Sequence, residues 1–171
     1  MISPDTKDWT WVLERPCPEC GFDAAVLDHS QVGAVVRDGA ASWGPVLARP
    51  GARTRPEAAT WSPLEYGCHV RDVLRLYDER LRLMLDQDDP LYPNWDQDAA
   101  AVADRYDQQD PAEVATQVVA AGEQVAAAFD GLSPEHWQRR GRRSDGASFT
   151  VESFSRYFVH DLVHHRHDVR G

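Results

Sequence analysis

The chain has 171 residues, the length of one domain enclosing a single substantial core. Its 28 acidic residues against 18 basic ones leave a formal charge of −10, which repels phosphate backbones and anionic lipid surfaces and argues against a nucleic-acid or membrane partner. No run of about 18 apolar residues exists, and the opening MISPDTKDWTW places an acid and a lysine where a signal peptide needs a basic start and an apolar stretch, so a cytoplasmic location is expected.

Three cysteines, two of them in Cys17-Pro18-Glu19-Cys20, do not make a secreted disulfide framework and suit a reducing compartment. Lysine occurs only at Lys7 while arginine and alanine abound, the bias of a GC-rich, actinobacterium-like genome. One domain over 1–171 is expected, with residues 1–21 as an N-terminal extension carrying the cysteine pair.

Proline and glycine leave four long segments free to be helices, which predicts an all-α bundle. The first runs from about Phe22 to Ala40, with Ala25, Val26, His29, Val32 and Val36 at three- and four-residue spacing, and extends or restarts through Trp43 to Ala48. The loop RPGARTRPEAAT precedes Ser62-Pro63-Leu64-Glu65, where serine can cap, proline fits the first turn and glutamate can return to the cap's amide. From there Tyr66, Val70, Val73, Leu74, Tyr77, Leu81, Met84 and Leu85 keep one face for about 24 residues, roughly 36 Å of helix, with His69 at the margin of the stripe. The segment from Asp88 to Asp110 is long for a connection, so it carries a short helix near Ala99 to Tyr106 or serves a purpose of its own. Asp110-Pro111-Ala112-Glu113 opens a third helix to about Phe129, with Val114, Val118, Ala121, Val125 and Phe129 inward. Ser133 to Trp137 reads as one short turn and RRGRRSDGASF as a basic loop; the last helix begins near Thr150. No convincing strand pattern is seen beyond short extended pieces at either end.

That last helix contains VHDLVHHRHDV, Val159 to Val169. Residues four apart project from one helix face, so His160 and His164 can present two imidazoles to one ion; Asp161 and His165 form an equally spaced pair on the neighbouring face. Periodicity alone does not choose between them. A third ligand must come from another helix: His69 is the first candidate, because a histidine at the margin of an apolar stripe points into a bundle, and His29 is the second.

The stretch Trp61-Ser62-Pro63-Leu64-Glu65-Tyr66-Gly67-Cys68-His69-Val70 together with His160-Asp161-Leu162-Val163-His164-His165 resembles the DinB superfamily of bacterial four-helix bundles, which includes mycothiol-dependent maleylpyruvate isomerase-type enzymes and thiol-dependent S-transferases. The resemblance spans about Phe22 to Val169. It implies a four-helix bundle with a long crossover between helices 2 and 3, and a divalent metal, zinc or nickel, held by His69, His160 and His164 with other coordination positions open. A thiol bound there is deprotonated near neutral pH. The implied function is a metal- and thiol-dependent transferase or isomerase, with mycothiol as the thiol and a small electrophile as substrate; a metal-dependent hydrolase and a non-enzymatic metal-binding or stress-associated protein are the alternatives. The expected partners are that substrate and the low-molecular-weight thiol, with a homodimer left open. Asp161 or Asp168 can orient a ligand histidine through its free ring nitrogen, while His165 and His167 are expected to be bystanders.

Cys17 and Cys20, followed by Gly21, resemble half of a zinc knuckle. In the bundle just described they fall at the end opposite the three histidines, which makes His136 the expected further ligand of a second, structural metal; free thiols are the alternative. Arg139, Arg140, Arg142 and Arg143 either grip an anion or balance nearby acids in solvent. Trp95 and Tyr92 are candidates to roof the metal pocket. There is no glycine-rich phosphate loop and no GxSxG elbow to support nucleotide hydrolysis or serine catalysis.

Overall fold

The computed structural model describes residues 8–170 of the chain. Residues 1–7, which include Lys7 and most of the stretch read against a signal peptide, lie outside the described residues. Its helices are α1 (Val32–Ala41), α2 (Trp43–Leu47), α3 (Pro63–Asp86), α4 (Gln97–Ala103), α5 (Pro111–Asp130) and α6 (Val151–Asp168), with short strands β1 (Leu91–Tyr92), β2 (Arg140–Arg143) and β3 (Ser148–Thr150). No helix among the described residues is long and apolar enough to cross a membrane.

The helix starts follow from local chemistry. Ser62 Oγ accepts the Glu65 amide at 3.3 Å and Glu65 Oε2 accepts the Ser62 amide at 2.9 Å, the reciprocal box that opens α3. Asp110 accepts from the Ala112 and Glu113 amides, both at 3.0 Å, at the start of α5. Thr150 accepts from the Ser153 amide at 3.1 Å and opens α6.

Side-chain pairing fixes the helix directions. Arg71 meets Gln117 and Asp78 meets Gln124, a constant offset that makes α3 and α5 parallel. His69 packs on His165 while Tyr77 stacks on Phe154 and Phe158, so α3 and α6 are antiparallel. Parallel consecutive helices need a chain that travels back along the bundle, and the segment between α3 and α5 does so, carrying β1 and α4. It is pinned down by Tyr106, 1% exposed, whose hydroxyl donates to Asp72 at 2.5 Å, and by Asp104, which pairs with Arg71 at 2.9 Å. The N-termini of α3 and α5 therefore share one end of the bundle with the C-terminus of α6. The core between the helices centres on Trp43, Leu74, Leu81, Phe154 and Phe158.

Two features differ from the sequence expectation. The stretch expected to start the first helix, Phe22 to Gln31, is not α-helical. Asp23 and Asp28 accept the amides of Ala25 (2.9 Å) and Ser30 (2.8 Å), closing local turns that hold the 3-10 segments Ala24–Val26 and His29–Gln31. Val26, expected inward, is 77% exposed. Phe22 packs on His160 and His29 on Trp137, so the segment runs back along α6 rather than stopping at one end. The basic loop is also a β-hairpin. β2 and β3 pair antiparallel around the Asp145-Gly146 turn, and β1 joins β2 in parallel with Leu91 opposite Arg142. Gly141 in β2 admits Met84 and Tyr92 so closely that a Cβ there would lie 2.7 Å from Met84 Cγ. The sheet closes the end of the bundle remote from the start of α3.

Candidate metal centre

Each residue along an α-helix turns the side-chain direction by about 100°. The pairs His160/His164 and Asp161/His165 therefore face different neighbours. Tyr77 of α3 stacks on Phe154 and Phe158 at ring distances of 4.6 and 4.5 Å. Continuing that stripe by three and then four residues leads to Asp161 and His165, and these are the residues turned toward His69. His160 and His164 are turned toward the N-terminal segment instead.

Among the described residues, His69, Asp161 and His165 bring one donor atom each within 4.8 Å of one another. His69 is 1% exposed, and both of its ring nitrogens are buried without a hydrogen-bond partner. Such a group costs free energy unless something takes its lone pair or its proton. Trp95 stacks on it at 5.4 Å and Trp61 packs at 5.3 Å, while the His165 ring stands perpendicular at 4.7 Å. Burial, with the neighbouring His165, pushes the His69 pKa down to about 3, so the imidazole is neutral and able to ligate. His165 lies between two carboxylates, with Nε2 3.4 Å from Asp161 Oδ1 and Nδ1 2.9 Å from Asp168 Oδ2. Burial lowers its pKa, but Asp161 and Asp168 outweigh this and raise it to about 9; the same contact holds the Asp161 carboxyl at about 2 against its burial. Asp168 thus orients the ring and leaves Nε2 aimed at Asp161, as a carboxylate behind a metal-binding histidine does.

The second group is Cys17, Cys20, His160 and His164, whose donors also lie within 4.8 Å of one another. Cys17 Sγ is 3.8 Å from His164 Nδ1, and His160 Nε2 is buried with no partner. Burial pushes the His160 pKa down to about 4, aided by His164, and the Cys20 thiol up to about 11.

The expected set His69, His160 and His164 is thus not the one the fold assembles: α6 turns its two histidine-bearing faces to different partners, and His165 rather than His164 meets His69. Nor are the cysteines at the opposite end, because the non-helical Phe22 to Gln31 stretch carries them back along α6. His136 plays another part. Its Nδ1 accepts the Ser133 amide at 3.1 Å and caps the 3-10 turn Pro134–Gln138. His29 packs on Trp137 at 4.6 Å, away from both groups. Trp95 roofs His69 as expected, whereas Tyr92 is 3% exposed and lies beneath the Arg80 guanidinium. The arginines are dispersed: Arg139 donates to the Met84 and Gln87 carbonyls at the end of α3, Arg142 pairs with Asp89 and Arg143 with Asp145.

Two clefts meet at Asp161. One, of about 320 Å³, is bordered by Trp9, Thr60, Asp98, His165 and Asp168. The other, of about 500 Å³, is bordered by His69, Trp95, Arg80 and Arg143. Arg80, 6% exposed, donates to the Pro93 carbonyl at 2.8 Å and has no carboxylate partner among the described residues.

In comparison with solved structures, the chain is similar to YfiT from Bacillus subtilis, described as a probable metal-dependent hydrolase with an unusual four-helix bundle topology. The TM-score is 0.69 at 18% sequence identity, and 81% of each chain is covered, which bears out the fold. None of the curated proteins matches the sequence. The family model of the DinB superfamily matches residues 46–169, from the end of α2 to the end of α6, and the chain belongs to that superfamily.

Proposed function

We propose that the chain is a divalent-metal-dependent enzyme centred on His69, Asp161 and His165, in which a small thiol of the mycothiol type attacks a small electrophile, making it a transferase or isomerase. The observation that carries the reading is His69: a neutral imidazole with two orphaned nitrogens, enclosed by tryptophans and facing a carboxylate and a second imidazole. Two imidazoles and one carboxylate suit zinc or nickel and leave coordination positions for an exogenous group. An ion held there would supply the positive charge that deprotonates a thiol or water near neutral pH. The chain's own residues do the positioning. Asp168 fixes the His165 ring, Trp61 and Trp95 exclude water from His69, and Arg80 offers a cation to an acidic substituent on the electrophile. The smaller cleft combines the aromatic Trp9 and Trp61 with the polar Thr60, Gln97 and Asp98, a lining that fits a sugar-bearing thiol.

A second reading, hydrolysis by water at the same centre, is favoured by the description of YfiT. Metal analysis of His69→Ala and His165→Ala, followed by turnover of an electrophile such as monobromobimane with and without mycothiol, tests the proposal. Both variants should lose metal and turnover, and turnover should require the thiol. Full metal content in both variants removes the centre, and equal ester cleavage with no thiol present selects hydrolysis.

A further inference from the structure

We infer that Cys17, Cys20, His160 and His164 form a second, structural zinc(II) site that fastens the N-terminal segment to the face of α6 turned away from α3. It shares no ligand with the centre at His69. The cysteines sit in a knuckle: the Gly21 amide donates to the Cys17 carbonyl and the Cys17 amide to the Phe22 carbonyl, both at 2.8 Å. Gly21 has φ +75°, the left-handed conformation that lets the chain reverse directly after Cys20. That turn brings both sulfurs to the same side, facing two imidazoles one helical turn apart.

The dimensions fit. A tetrahedral zinc with bonds of about 2.3 Å to sulfur and about 2.0–2.1 Å to nitrogen separates its donors by about 3.3–3.8 Å. The four donors here lie within 4.8 Å of one another before any ion draws them in, and the Cys17 Sγ to His164 Nδ1 distance of 3.8 Å is already at the edge of that range. His160 Nε2 is an orphaned buried acceptor whose need the ion would meet. Cys17 is 1%, His160 4% and His164 7% exposed, and Trp9 packs on both imidazoles at 5.5 and 4.9 Å. Four protein donors fill a tetrahedron, which marks a structural site rather than one with a vacant position. Two thiolates also balance the charge of the ion, so the assembled centre is neutral where it is buried. The outer groups agree: His164 Nε2, on the far side of the ring from Cys17, faces Glu19 Oε2 at 3.6 Å and Asp168 Oδ1 at 3.8 Å.

On binding, zinc displaces one proton from each thiol and none from the neutral imidazoles, so two protons are released per ion. The site also bears on its neighbour. Asp168 turns one carboxylate oxygen to His165 and the other toward His164, so the zinc holds the residue that orients a ligand of the His69 centre.

The test is cobalt substitution and zinc counting on the full-length protein. The unmodified protein should show thiolate-to-cobalt charge-transfer absorption in the near ultraviolet and should bind about two zinc ions per chain. Cys17→Ser and the double variant with Cys20→Ser should lose the charge-transfer band and about one zinc, whereas His69→Ala should lose about one zinc and keep the band. If the variants do not fold, the unmodified protein decides alone: no thiolate band in folded, cobalt-loaded protein overturns the site. A band that survives both Cys17→Ser and Cys20→Ser overturns it equally, because Cys68 would then be the ligand.

Discussion

The two faces of α6 carry similar donors under different conditions. On the face toward α3, two histidines and an aspartate converge beside two clefts, with three protein donors and room for more. One residue round the helix, two histidines meet a cysteine knuckle, and four donors leave no position open. The difference lies in the count and charge of the partners: His69 arrives alone on a helix, whereas Cys17 and Cys20 arrive as a pair on one hydrogen-bonded turn. The incomplete set suits the reactive centre proposed above, and the complete one the proposed fastening site.

That contrast can be broken in order of effect. Cys17→Ser should cause the largest fall in thermal stability, bounded above by the roughly 10–16 kcal/mol with which zinc folds small zinc-finger peptides; a melting temperature unchanged by the substitution or by a chelator would leave the closed centre without a fastening role. Phe158→Ala, in the core between Tyr77 and Phe129, should cost about 3–5 kcal/mol in chemical denaturation while leaving metal stoichiometry intact, which separates packing from ligation. Asp168→Asn keeps the shape but weakens the hold on His165, so metal affinity or turnover at the His69 centre should fall by about 10–100-fold, with the cobalt–thiolate band preserved. Ser62→Ala removes a helix cap that belongs to neither ligand set and should cost only about 1 kcal/mol.

Much of the bundle is legible in the chain. Ser62, Asp110 and Thr150 announce three helices within a residue of where they begin, because capping is a local interaction, and the long segment before Asp110 announces the crossover. The first helix is misread because Asp23 and Asp28 favour tight local turns that apolar spacing does not register. The hairpin at Arg140 to Thr150 carries few apolar residues to display a two-residue period, and its signal is the Asp145-Gly146 turn alone.

The sites are half legible. His69 stands out at the margin of its stripe, but which pair on α6 meets it depends on the rotation of that helix. The closing His-x3-His of the family resemblance favours His160 and His164. The aromatic stripe of Phe154 and Phe158, extended by the same spacing, leads to Asp161 and His165, the pair the fold turns toward His69. The partners of His160 and His164 were beyond periodicity, since they depend on the path of an irregular segment.

The most direct measurement is anomalous diffraction at the zinc edge from crystals of the zinc-loaded protein. Two separate peaks are predicted, one among His69, Asp161 and His165 and one among Cys17, Cys20, His160 and His164. A single peak shared by His69, His160 and His164 would contradict the account.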